Sequence, residues 1–386
     1  MNAPETRFIE PLDVLFLRGN KLFGDPGSYG ESLVPPWPSV AAGALRSRIL
    51  ADDGIDMAAY ARGEIEHKML GTPAQPGSFA VTAFHLARRL ADGRVEALIA
   101  PPADLVISED AAGAPSVNVL KPVPTCNGLL ASTPFAALPV LAETTRGKPV
   151  SGYWLTESGW RAYLAGKLPT SVDLVKSSAL WQIDPRVGVG LDADTRRAAD
   201  GRLFSAQAVA MTQRVDQAGF DVGFLVSVSG AALPVSGTLR LGGDGRAAAL
   251  HAVAATLPAP DYAALTAARR CRLVLATPGV FDGGWLPTGF TQAADGSYRF
   301  DLAGVKARLV CAAVPRFETL SGWDLARWQP KPAQRAAAAG SVYWLDELDA
   351  TPEALRKLAE TGLWREPCED ATRRAEGFNR FTFAAY

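Results

Sequence analysis

The sequence predicts an α+β fold of mainly antiparallel sheet, divided into two domains. Three observations lead there. Apolar strand-like runs outnumber helical patterns and alternate with them irregularly, without the sustained βαβ rhythm of a parallel sheet. The chain has 386 residues, 48% of them apolar, which is too long for one small domain and enough for a substantial core. LDVLFLRGNKLFGDPG (12–27) is echoed by CRLVLATPGVFDGGWLP (271–287), each an apolar strand, then Phe, then a Gly/Asp/Pro loop. Such an echo suggests two related units that open the same way. TLPAPDYAALTAA (256–268), with its two prolines, reads as the hinge between them.

Taken in order, Phe8-Ile9 and Val14-Leu15-Phe16-Leu17 read as the first strand, ended by the turn Arg18-Gly19-Asn20. A Gly/Pro-rich loop follows, and Pro38 with Ser39 as cap opens a helix over VAAGALRSRILA. There Leu45, Ile49 and Leu50 fall on one stripe, with Arg46 and Arg48 off it. FAVTAFHLARRL and RVEALIAPPADLVI form a hairpin with Asp92-Gly93 as its turn. Residues 115–150 read as irregular insertion, and 160–168 as a short helix. Residues 187–191 and 203–211 are expected to pair across a loop, and FDVGFLVSVS (220–229) is a strong strand, as is 247–255. In the second unit 271–275 starts afresh, VKARLVCAAVP is a strand, and ETLSGWDLARWQP is an aromatic loop. GSVYWLDEL is a further strand. Thr351-Pro352-Glu353 opens a helix by cap, proline and acidic first turn, and the tail EGFNRFTFAAY is a glycine turn into a last strand.

Composition narrows the chemistry. Lys plus Arg number 39 against 40 for Asp plus Glu, so any nucleic-acid contact must come from a local patch. Cys126, Cys271, Cys311 and Cys368 show no paired spacing, and His67, His85 and His251 none that suits a metal. Neither a metal nor a cofactor is expected. The opening MNAPETRFIEPLDV carries acids and no apolar run, and no stretch of about eighteen apolar residues follows. A soluble, cytoplasmic protein is expected.

One motif invites an enzymatic reading. Asp192-Ala193-Asp194-Thr195 could be the paired carboxylates of a haloacid-dehalogenase-type phosphatase, with Gly243-Asp244-Gly245 completing a magnesium site. Its approach, Arg186-Val187-Gly188-Val189-Gly190, is interrupted by glycines rather than being a buried strand. No lysine lies between Thr195 and Gly243, so Arg214 or Arg240 would have to hold the phosphate. A solvated loop of mixed charge is the better reading.

The stretches FIEPLDVLFLRGNKLFGDPG with PPWPSVAAGALRSRIL, then DPRVGVGLDADTRRAADGRLF, LRLGGDGRAA, LATPGVFDGGWLP, SGWDLARWQPKP and GSVYWL stand in this order over most of the chain. Together they resemble the CRISPR-associated RAMP superfamily, and among it the Cmr-module subunit that caps the crRNA 5′ end in type III-B effector complexes. The resemblance implies two ferredoxin-like, RRM-related RAMP domains with long insertions. These would cover 1–257, with insertions at about 52–180, and 258–386. It further implies a non-catalytic, RNA-binding subunit for antiviral defence. Such a subunit holds the crRNA 5′ handle and meets the large polymerase-like subunit and the backbone RAMP subunits. No catalytic residue is carried over. A crRNA-processing endoribonuclease is the alternative within the superfamily, and His85 would then be the candidate acid–base.

Candidate RNA contacts follow from residue chemistry. Gly242, Gly243 and Gly245 with Arg246 form either a phosphate-binding nest or a tight turn between strands. Arg186, Arg196, Arg197 and Arg202 could pair with phosphate, but Asp184, Asp192, Asp194 and Asp200 balance them one for one. Arg46 reaches phosphate or covers its helix. Trp37 and Trp285, in corresponding loops, are candidates to stack on bases. Lys21 lies beside the first loop. Trp323, Trp328 and Trp344 read as core or subunit contacts.

Overall fold

The computed structural model describes residues 3–19, 29–125, 135–142, 147–192, 194–213, 219–324, 327 and 329–386. Lys21, Cys126, Arg214 and Trp328 therefore lie outside the described residues. The principal strands are β1 (Glu5–Pro11), β2 (Ala80–Leu90), β3 (Val95–Leu98), β4 (Trp181–Leu191), β5 (Ala198–Met211), β6 (Phe220–Ser229), β7 (Ser236–Arg240) and β8 (Ala247–Ala252). The second half adds β9 (Cys271–Leu275), β10 (Phe290–Gln292), β11 (Tyr298–Leu302), β12 (Val305–Ala313), β13 (Val342–Asp349) and β14 (Phe381–Ala384). The helices used below are α1 (Pro38–Asp52), α2 (Glu157–Leu164), α3 (Tyr262–Ala268), α4 (Pro352–Thr361) and α5 (Ala371–Glu376).

Two six-stranded antiparallel sheets carry the architecture, in the orders β7-β8-β1-β6-β2-β3 and β10-β11-β12-β13-β9-β14. Each contains the same inner arrangement. Its first strand lies between the last strand and a third strand that also pairs with the second, as β8-β1-β6-β2 and, read from the other edge, β14-β9-β13-β12. In the first sheet α1 crosses from β1 toward β2, skipping the position that β6 fills. Its buried Ala41, Ala42, Leu45 and Ile49 close the core over Ile9, Leu86, Phe224 and Val226. Pro38 starts α1 as expected, but the cap position belongs to Trp37 and no side chain bonds to it. In the second sheet, α3 and α4 pack Leu265, Leu355 and Leu358 onto Leu273, Leu309 and Leu345.

The opposite faces of the two sheets meet through a third layer. Phe8, Ala87 and Leu225 from one sheet and Val274, Cys311 and Trp344 from the other share it with Tyr153, Leu155, Trp160 and Tyr163 of the insertion. Inside it Arg272 donates to Asp104 at 2.5 Å, and the Tyr163 hydroxyl donates to the same carboxylate at 2.8 Å. A second nitrogen of Arg272 donates to the carbonyls of Tyr163 and Ala385. Asp104 is fully buried and Arg272 is 3% exposed, so the charges are satisfied by one another rather than by water.

Several expectations are corrected by how the chain packs. The first strand holds Phe8-Ile9 as expected but not residues 14–17, since it spans Glu5–Pro11. Leu15 instead makes a single antiparallel bridge to Val209, and Leu15, Phe16 and Leu17 are apolar because they are buried in a connecting segment. The Asp92-Gly93 hairpin is present, with Gly93 at φ 85°. Residues 115–150 are not wholly irregular. Pro115–Val119 pairs with Leu105–Glu109, and Lys121–Pro124 with Ala137–Val140. The helix expected at 160–168 runs instead from Glu157 to Leu164, because Thr156 caps it.

Candidate nucleic-acid interface

The paired segments around the Asp-Ala-Asp-Thr motif form a long two-stranded ribbon. β4 and β5 pair antiparallel from Trp181↔Met211 at the base to Leu191↔Ala198 near the tip, with a register shift after Val189. At the base Trp181 and Met211 join the first core, and Tyr29–Gly30 lies parallel against Ser205 and Ala206. Ser32 adds two hydrogen bonds to Gln207. Beyond this collar the ribbon is exposed.

Cross-strand partners lie on one face, so the register separates the ribbon's two sides. Val187 and Val189, with Leu203 opposite, form an apolar side: Val187 is 70% exposed and Leu203 59%. Arg186 and Phe204 lie on the other side, where Gly188 faces Phe204. A Cβ at Gly188 would fall 2.4 Å from the tip of the Phe204 ring, and one at Gly190 3.0 Å from the Arg202 stem. Alternating glycines thus let an aromatic ring and an arginine lie flat across the partner strand.

At the tip Asp192 is a turn former. Its Oδ1 accepts from the backbone N–H groups of Asp194 and Thr195 and from the Thr195 hydroxyl. The Thr195 N–H, then its hydroxyl, hold this carboxyl below the usual carboxylate range. Arg196 takes φ 54°, and Arg196, Arg197 and Arg202 are all exposed. Arg186 is engaged by Asp184 at 2.8 Å. The phosphatase geometry is absent: Asp192 is committed to its own loop rather than to a sheet edge. Among the described residues no group of three or more His, Cys, Asp or Glu could hold a metal ion.

The glycine loop lies against 12–18. Its Gly243 N–H donates to the Phe16 carbonyl at 2.9 Å, and Leu241 N–H to the Arg246 carbonyl at 2.8 Å. Gly242 and Gly245, at φ 76° and 62°, supply the left-handed positions of the tight turn between β7 and β8. Arg246 stacks its guanidinium 5.2 Å over Phe16 and pairs with Asp13. The Val14 N–H, with help from Arg246, holds Asp13 below its ordinary pKa. Arg246 is therefore occupied within the loop.

Other candidates are placed elsewhere. Trp37 is 8% exposed, donates its indole N–H to Glu318 at 3.3 Å, and joins Leu320, Trp364 and Phe378 in a core cluster. It is not presented to a base. Arg46 turns inward, 5.0 Å over Phe79, where burial lowers its pKa. Trp285 packs among Phe135, Tyr298 and Tyr343, with its edge 36% exposed. Trp344 is core, whereas Trp323 is exposed. His85 is neutral at physiological pH, since burial lowers its pKa to about 4. Of the sequence candidates, the structure brings together Arg186, Arg196, Arg197 and Arg202 on the ribbon. Phe204 was missed because its pairing with Gly188 appears only in the register.

Two solved chains are similar over most of their length. One belongs to a cryo-EM structure of the type III-B Cmr-beta bound to cognate target RNA. It is 13% identical, covering 88% of this chain and 86% of that one, with a TM-score of 0.43. Another comes from the type III-B Cmr-beta bound to cognate target RNA and AMPPnP (state 1). It is 14% identical, with coverages of 92% and 88% and a TM-score of 0.43. No curated protein matches significantly by sequence. The model of the CRISPR-associated protein family Cas_Cmr3 matches residues 7–382, nearly the whole chain, and the chain belongs to that CRISPR-associated Cmr3 family.

Proposed function

We propose that this chain is a non-catalytic RNA-binding subunit of a type III-B CRISPR effector complex. In this reading it holds the 5′ handle of crRNA and docks the large polymerase-like subunit. The observation that carries the RNA contact is the ribbon. It projects from the first core and presents Arg196, Arg197 and Arg202 exposed along a short length. Arginines pair with phosphate and stack on bases. In a chain of formal charge −1 an RNA contact must be local, and here the three arginines stand against Asp194 and Asp200, Asp192 being bonded within its own turn.

The strand orders support reading the two halves, 1–257 and 258–386, as ferredoxin-like domains. In each, four adjacent strands follow the fourth-first-third-second order. A catalytic role in RNA cleavage is disfavoured by the chemistry of the one candidate. With a pKa near 4, His85 holds no proton to donate at neutral pH and is a weak base.

Fluorescence anisotropy with a labelled repeat-derived RNA tests the site. The R196A/R197A/R202A variant is expected to lose about tenfold or more in affinity. Its log K against log salt should be shallower by about 2, three phosphate contacts on a single strand. Affinity and salt slope equal to those of the unaltered protein would remove the ribbon from the RNA site.

A further inference from the structure

The aromatic loop after β12 is a second projecting element, an arm over 315–336. Glu318–Leu320 pairs with Gln334–Ala336 at its base, and Trp323–Asp324 with Gln329–Pro330 farther out. The base is fixed: Leu320 and Ala336 are buried with Trp37, Trp364 and Phe378. Glu318 accepts the Trp37 indole N–H, and burial raises its pKa.

Outside this anchor the arm exposes aromatic faces flanked by cations. Phe317 is 58% exposed and Trp323 43%. The Arg335 guanidinium lies 4.9 Å over the Phe317 ring, and Arg316 and Arg327 are also exposed. With Glu318 turned inward and Lys331 paired with Glu376, Asp324 is the remaining acid of 315–336, against Arg316, Arg327 and Arg335. Exposed rings with interleaved arginines suit single-stranded nucleic acid, whose bases stack while its phosphates pair.

A short stretch of chain joins the root of the ribbon to the root of the arm. Gly30 pairs with Ala206 on the ribbon, while Trp37 sits in the arm's base. The seven steps between them span at most ~25 Å.

We propose that this arm is a second contact for single-stranded RNA. Phe317 and Trp323 stack on bases, and Arg316, Arg327 and Arg335 take the phosphates. The inference rests on the RNA-binding reading above. Anisotropy with a labelled single-stranded RNA on the full chain tests it, comparing F317A/W323A, R335E and the ribbon triple R196A/R197A/R202A. All are surface changes, so thermal midpoints should stay close to that of the unaltered protein. F317A/W323A is expected to bind about tenfold more weakly, and R335E also to weaken. Loss in the arm variants with an unaffected ribbon triple would keep the arm and discard the ribbon site. Loss in the ribbon triple with unaffected arm variants would overturn the arm proposal alone. Arm variants that keep RNA affinity but no longer co-purify with partner subunits would also overturn it, making the arm a protein-docking element.

Discussion

Asp104 and Arg272 show what a single ion pair does when water is excluded. Both are buried between the sheets, and Tyr163 completes the carboxylate's hydrogen bonding. Removing one partner strands the other charge, a loss of about 3–5 kcal/mol. Asp104→Ala should therefore shift the urea midpoint sharply downward; a shift equivalent to a surface substitution would refute the pairing. His85 gives a prediction in pH. Its folded pKa of about 4 lies below the ordinary value of 6.5, so between these limits the unfolded chain binds a proton the fold refuses. Stability is full above about pH 6.5 and falls as pH drops toward 4, by up to about 3 kcal/mol. His85→Leu should flatten that decline in unfolding measured from pH 7 to 4. Neither role was legible in the sequence, because neither Asp104 nor His85 has a partner at a readable spacing. Asp192 was legible as a loop residue, since a glycine-broken approach cannot deliver a buried nucleophile.

At the scale of elements, the ribbon rests on its glycines. Gly188 leaves room for the Phe204 ring, and a β-branched side chain there would push the ring off the strand. Gly188→Val should weaken RNA binding severalfold while leaving the thermal midpoint nearly unchanged, because Gly188 lies outside the buried core clusters. A large drop in midpoint with intact RNA affinity would show the ribbon to be structural. The pairing of 187–191 with 203–211 was visible in the sequence, but its full length was not. Ile183, Pro185 and Arg186 do not alternate cleanly, and Asp200-Gly201 looks like a turn. The glycine loop at 242–245 fits either a turn or a nest by composition. Only the Gly243 N–H bond to Phe16 decides for the turn. Helices with capping residues, such as α4 behind Thr351, were readable because their signals are local.

For the whole molecule, the antiparallel α+β class was readable from strand-rich, irregular alternation, and the internal echo pointed to two units. The echo was out of register, however. It matched the buried connection 12–17 to β9, whereas the strand in the equivalent place is β1. Apolarity reports burial, and here it was burial of a connection rather than of a strand. The third layer, joining both sheets through the insertion, had no sequence signal because its members are scattered from Phe8 to Ala384. The central claim, that the ribbon contacts RNA, is most directly tested in the assembled complex. Ultraviolet crosslinking of its RNA, followed by mass-spectrometric mapping on this chain, should recover crosslinked peptides from 186–204. Crosslinks confined to other parts of the chain, with none in the ribbon, would contradict it.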